Sequence, residues 1–401
     1  MIGIRERLVL YALLTSLTSL SIDALLPGLR DIGAEVTAAG PLSTQHIITL
    51  FILGMAFGEL LMGPLSDAVG RKKALLLGLA IYVAGTIIAG LGGALETVVI
   101  GRFLQGVGVA GPKIATRAMI RDQFEGDAMA RIMSFMFTLF ILVPMLAPSL
   151  AQGLMVLGGW RSVFAAYLAI AGFLGLWLVV RQPETLPVAR RVPFRPALLF
   201  LNGCRILSSR RVAFLILATG LVFGAQLLYL STAADLFFEA YGVRETFPFY
   251  FALLATAMGL ASFLNARFVQ RLGMETMARA AFMGMASIAL LMMLTSICYG
   301  GLLPFAMLMT FLYAVFFAIG VLFGNLNAMA MQSLGEVAGF GASLIASGSS
   351  LVATLFAIGL GALYDGTALN LSLGFLAAGF CSLVLAEVAV RSDASPVTAA
   401  R

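Results

Sequence analysis

The chain of 401 residues is poor in charge. Asp, Glu, Lys and Arg make up 11% of it, where a soluble domain carries roughly 25%. A surface so sparsely charged does not suit water, and a soluble protein is excluded. Histidine occurs once, as His46, and cysteine three times, at Cys204, Cys298 and Cys381. One imidazole and three scattered thiols match no metal-ligand or redox spacing, so no metal and no cofactor is expected. A nucleophile paired with its base is also missing, which sets an enzyme aside. The net charge of +6 is spread between apolar runs and never forms the basic stripe that nucleic acid demands.

What fills the chain is apolar sequence: 61% of the residues are hydrophobic and the mean hydropathy is +1.02. A bilayer core about 30 Å thick takes around 20 apolar residues per helix. Runs of that kind lie near residues 8–29, 44–65, 74–93, 98–120, 131–157 and 160–181. Six more lie near 211–234, 246–266, 276–298, 302–330, 337–363 and 367–390. The expected fold is therefore an all-α integral membrane protein of twelve transmembrane helices in two six-helix halves. The N-terminal bundle covers 1–181, a cytoplasmic linker 182–210, the C-terminal bundle 211–391 and a cytoplasmic tail 392–401. Pro183, Pro187, Pro193 and Pro196 stand among Arg190, Arg191 and Arg195 in the linker. Arg5, Glu6 and Arg7 precede the first run and no small-residue cleavage site follows it, which reads as a first span rather than a signal peptide.

Lys and Arg set the orientation, because basic loops resist translocation. With the N-terminus inside, 19 of the 25 basic residues fall in cytoplasmic segments, three (Arg30, Arg161, Arg244) fall outside, and three (Arg102, Lys113, Arg117) fall within a span. Both termini are expected in the cytoplasm.

After the second run the chain reads Gly63-Pro64-Leu65-Ser66-Asp67-Ala68-Val69-Gly70-Arg71-Lys72-Lys73. The glycines permit a tightly packed turn, and Asp67 can pair with Arg71 or cap a helix N-terminus. This loop resembles the signature that the major facilitator superfamily carries between helices 2 and 3. The resemblance implies a structural latch of Gly63, Asp67, Gly70 and Arg71. Asn265 to Gly273 resembles a degenerate second copy, with Gln270 in the Asp position, and supports a two-fold repeat. Gly101-Arg102-Phe103-Leu104-Gln105-Gly106-Val107-Gly108 is similar to the superfamily's helix 4 motif with its embedded Arg.

Asp23-Ala24-Leu25-Leu26-Pro27, Arg121-Asp122, Pro144 with Ala147-Pro148, and Gly159-Trp160-Arg161 with Phe164 resemble the Bcr/CflA drug-resistance group. That resemblance implies a proton-coupled efflux antiporter in the bacterial inner membrane. It would export drugs or other small amphipathic molecules as a monomer, by alternating access between parallel halves. The alternative within transport is a dedicated exporter of a metabolite or metal-chelating small molecule with an anionic group.

Ionisable groups within a bilayer are costly and face a cavity or a partner. Asp23 lies about 22 Å into the first span at 1.5 Å per residue. Thr15, Ser19 and Asp23 recur every four residues and share a face expected to line a cavity. An apolar surrounding favours a protonated carboxyl and a nearby guanidinium favours the ionised form, the opposition a proton switch needs. Asp23 is thus either a proton carrier or a helix cap near Pro27.

Arg102 is the position to which the family resemblance gives a part in proton coupling; the alternative is a hydrogen-bonding hub. Gln105 flanks it. Lys113 calls for a carboxylate, and Glu59 is the candidate, either as a proton relay or anion site or as a buried ion pair. Arg117 is close enough to the cytoplasm to snorkel. In the second half Gln226, Tyr229 and Asn325 are candidate cavity residues beside Asn327 and Gln332. Ser343, Ser347, Ser350 and Thr354 read as a packing stripe. His46 reads as peripheral, and most of the 30 Phe and 20 Met residues as facing lipid.

Overall fold

A computed structural model describes residues 3–392 apart from 39, 125, 333 and 335–337. Among the described residues every regular element is helical, as expected where no water is present to satisfy an open strand edge. The chain divides into two compact units, Met1–Arg195 and Pro196–Arg401.

The first unit holds α1 (Ile4–Asp23), the short α2 (Leu29–Glu35), α3 (His46–Val69), α4 (Arg71–Gly90), α5 (Leu95–Gln123), α6 (Gly126–Gly158) and α7 (Arg161–Arg181). The second holds α8 (Pro196–Ser208), α9 (Arg210–Asp235), α10 (Phe247–Leu272), α11 (Met274–Cys298), α12 (Phe305–Met331), α13 (Ala338–Gly361) and α14 (Ala368–Arg391). Among the described residues, ten helical stretches are long and apolar enough to cross a membrane. α5, at 29 residues, has the length but carries Arg102, Lys113 and Arg117; α6 spans 33 residues.

Two readings of the sequence are corrected locally. The stretch expected as one span over 8–29 lies within one candidate span, Ile4–Glu35, but is not one regular helix: α1 ends at Asp23, a 3-10 turn runs over Leu26–Gly28 and α2 follows. Pro27 has no N–H to donate to a continuing helix. The expected loop at Gly63–Lys73 is almost entirely helical, since α3 runs on to Val69 and α4 starts at Arg71. Gly70 alone makes the turn, at φ +105°, ψ +153°, where a side chain would be strained. Gly273 repeats this geometry between α10 and α11, at φ +81°, ψ +152°. The same turn thus recurs in the second unit, where Gln270 stands in the position of the acidic residue.

In the first unit α5 is clamped between α3 and α4. Lipid is as apolar as leucine, so helices gain by close backbone approach over small residues. Gly54, Gly58 and Gly106 bring α3 against α5, and Gly78, Gly85, Gly101, Gly108 and Gly111 bring α4 against it. In the second unit α9 lies between α13 and α14. There Gly220 sits over Val352 and Gly224 over Phe356, and Ser343, Ser347, Ser350 and Thr354 are all buried. Large apolar side chains such as Phe263, Leu355 and Phe380 point outward, where hydrocarbon suits them.

Candidate functional site

The polar residues of the first unit converge on Arg102, whose side chain is fully buried. Its Nε donates to Ile47 O at 3.1 Å, Nη2 to Ser21 O at 2.9 Å and Nη1 to Gln105 Oε1 at 2.5 Å. The guanidinium also lies 4.3 Å from the centre of the Phe51 ring. Gln105 passes the chain on, its Nε2 donating to Thr86 Oγ1 at 2.8 Å. Ser21 Oγ and Tyr82 Oη share a hydrogen bond of 2.7 Å, and Tyr167 Oη donates to Leu20 O at 3.2 Å. One planar fork thereby ties α1, α3 and α5 together, with α4 and α7 joined through Thr86, Tyr82 and Tyr167. Gln105, expected along a substrate cavity, is fully enclosed because both ends of its amide are taken by Arg102 and Thr86.

Asp23 stands two residues beyond Ser21, at the last position of α1. It is 6% exposed, and among the described residues its carboxylate joins no ion pair or hydrogen bond. Thr15 and Ser19 are buried on the same face, and the Thr15 hydroxyl turns back on Tyr11 O at 2.9 Å.

Glu59 and Lys113 meet. Lys113 Nζ lies 2.5 Å from Glu59 Oε1, with the glutamate fully buried and the lysine side chain 18% accessible. Nζ also approaches Met55 Sδ at 3.7 Å. Arg117, one turn along α5, is exposed.

The residues of the expected latch have more partners than Asp67 and Arg71 alone. Arg71 pairs with Asp67, and also with Asp122 at 2.9 Å and Ser66 Oγ at 3.1 Å. Glu184, in the segment after α7, accepts from the Arg71 amide at 2.9 Å and the Lys72 amide at 3.2 Å. It caps the positive end of α4, a role sequence reasoning considered for Asp67. Pairing Arg71 with Asp122 accounts for one acidic residue of the Arg121-Asp122 motif. Trp160 and Arg161 likewise share a task, since both hold the Glu35 carboxylate at the end of α2.

In the second unit Asn325 donates to Asn265 Oδ1 at 2.7 Å and to Val321 O at 3.0 Å. This side-chain pair between α10 and α12 was not foreseen. Gln226 is half-buried, 3.8 Å from Met258 Sδ. Tyr229, another expected cavity residue, is fully buried against the rings of Phe316, at 4.9 Å, and Phe251, at 6.4 Å. His46 is peripheral, opening α3 with Nδ1 accepting from the Ser43 amide at 3.0 Å. Among the described residues no group of three His, Cys, Asp or Glu side chains could hold a metal.

The model of the Major Facilitator Superfamily matches residues 8–357. A bicyclomycin resistance protein homolog of Haemophilus influenzae is 29% identical over 340 residues, 84% of this chain and 83% of that protein. The multidrug resistance protein MdtL of Klebsiella pneumoniae is 29% identical over 244 residues, 60% of this chain and 61% of that protein. Among solved structures, a peptide transporter, POT, superposes with a TM-score of 0.73 at 14% identity, covering 97% of this chain and 95% of the other. The human organic anion transporter MFSD10 superposes at 0.70 and 17% identity, covering 97% and 100%. The structural likenesses speak for the fold, and the matched family for more: this chain is a multi-pass membrane transporter for small molecules, not an enzyme, and belongs to the Major Facilitator Superfamily.

Proposed function

We propose that the chain is a proton-coupled antiporter that exports drugs or other small amphipathic molecules across the bacterial inner membrane by alternating access. It acts as a monomer of twelve spans, with two six-helix bundles, a cytoplasmic linker over 182–210 and both termini in the cytoplasm. The observation that carries this reading is Asp23. A buried carboxyl with no cation or hydrogen-bond donor among the described residues is free to take and release a proton. It sits two residues from the Ser21 carbonyl that Arg102 holds. Protonation at Asp23 is thus felt, through the end of α1, by the network that ties the helices of the unit together. Coupling requires proton and substrate to bind differently to the inward and outward states. Glu59 is the second protonatable group in this scheme and Arg102 the transmitter. Thr15, Ser19, Lys113, Gln226 and Asn325 contribute to substrate binding, and Gln105 and Tyr229 do so in states other than the one described.

The names of the relatives, bicyclomycin resistance and multidrug resistance proteins, support export of antibiotics. In vesicles loaded with drug and given an inward proton gradient, Asp23→Asn is expected to abolish gradient-driven efflux while membrane insertion and thermal stability stay unchanged. Efflux at the parental rate in that variant would remove Asp23 from the mechanism.

A further inference from the structure

Of the four cations on α5, three, Arg102, Lys113 and Arg117, stand before its last turn, and the protein satisfies them unequally. Arg102 spends its fork on three acceptors and is sealed. Lys113 has three donors; Glu59 Oε1 takes one and Met55 Sδ a second. Arg117 makes no ion pair or hydrogen bond among the described residues; Glu59 is the charged neighbour acting on it. Its side chain is nonetheless accessible.

Arg117 and Lys113 stand six and ten residues before the end of α5 at Gln123, about 9 and 15 Å at 1.5 Å per residue. Both lie inside the span. An accessible guanidinium at that depth faces water or a polar ligand, because hydrocarbon would not tolerate it. With Glu59 counted, the three side chains sum to an excess of one positive charge, and five guanidinium donors are available for a planar, two-oxygen acceptor.

We propose that Lys113 and Arg117 bind the anionic group of the transported substrate, a small amphipathic carboxylate, with Glu59 as the built-in competitor for Lys113. Four residues apart on one helix, the two cations share a face. The carboxylate of a ligand at Arg117 reaches Lys113 by displacing Glu59, so the empty site keeps one excess positive charge and the filled one is neutral. The proposal rests on the transport reading and names its substrate class.

The test is binding to the purified full-length chain in detergent. Aryl carboxylates, from benzoate to a carboxylated rhodamine, are each compared with their own primary amide. The parental protein is expected to prefer at least one carboxylate over its amide by tenfold or more. Arg117→Gln should bring that ratio down toward one, and Glu59→Gln, which removes the competitor but keeps a hydrogen-bonding side chain, should tighten the carboxylate several-fold. A ratio near one throughout the parental series, an unchanged ratio in Arg117→Gln, or weaker carboxylate binding in a folded Glu59→Gln would overturn the proposal. Proton-driven efflux that still depends on Asp23 would survive any of those results, so the two readings fail separately.

Discussion

At the scale of single residues, the first unit handles its buried charge in two ways. Arg102 has no carboxylate among its hydrogen-bond partners and relies on carbonyl and amide oxygens. Charge-assisted hydrogen bonds are about twice as strong as neutral ones, and they also fix direction, so α1, α3 and α5 are locked at one height. A lysine there cannot serve three acceptors spread over two main-chain carbonyls and a side-chain amide. Arg102→Lys is therefore expected to leave at least one buried acceptor unpaired, at about 1–3 kcal/mol. A lower melting temperature in detergent would show it, whereas Asp23→Asn, which breaks no hydrogen bond, should melt with the parent. An Arg102→Lys protein that melts normally yet has lost coupled efflux would leave Arg102 the proposed transmitter but not a brace.

At the scale of helices, close packing around α5 is what brings these charges within reach of one another. A Cβ on Gly106 would run into the Phe51 carbonyl, while one on Gly172 of α7 would meet nothing within 4 Å. Gly106→Val is expected to force α3 from α5, costing about 1–3 kcal/mol or more, and to separate Glu59 from Lys113. Gly172→Ala should be neutral or slightly stabilising, since alanine is the better helix former. Thermal unfolding of both variants makes the comparison. At the other helix contact, Glu184→Gln removes the charge that caps α4, and a loss of about 1 kcal/mol should appear first as faster amide exchange at Arg71 and Lys72.

These elements also show what the sequence could and could not disclose. Helix positions were legible because apolar runs of bilayer length leave little choice. The meeting of Glu59 with Lys113 could be anticipated because so few charges are available within the spans. The surroundings of Arg102 could not be, since Ile47 and Ser21 contribute carbonyls, which every residue has. Nor could Glu184, a loop residue 113 positions from the amide it caps. The break after Asp23 was signalled by Pro27 but hidden by uninterrupted hydropathy.

At the scale of the whole molecule, the proposed orientation can be read with cysteines that the protein already contains. Cys204, Cys298 and Cys381 are free and exposed, and they fall at three different depths. Cys204 lies in α8 amid the basic linker, Cys298 is the last residue of α11, and Cys381 is midway along α14. If the excess of Lys and Arg places the N-terminus and linker inside, α11 runs outward and Cys298 emerges on the far side. Cys381 then sits in hydrocarbon, out of reach of a water-soluble reagent. A membrane-impermeant maleimide added to spheroplasts should therefore modify Cys298 alone, reach Cys204 once the membrane is opened, and leave Cys381 untouched until detergent is added. Modification of Cys204 but not Cys298 in sealed spheroplasts would invert the orientation, and with it the direction in which a proton gradient acts on Asp23.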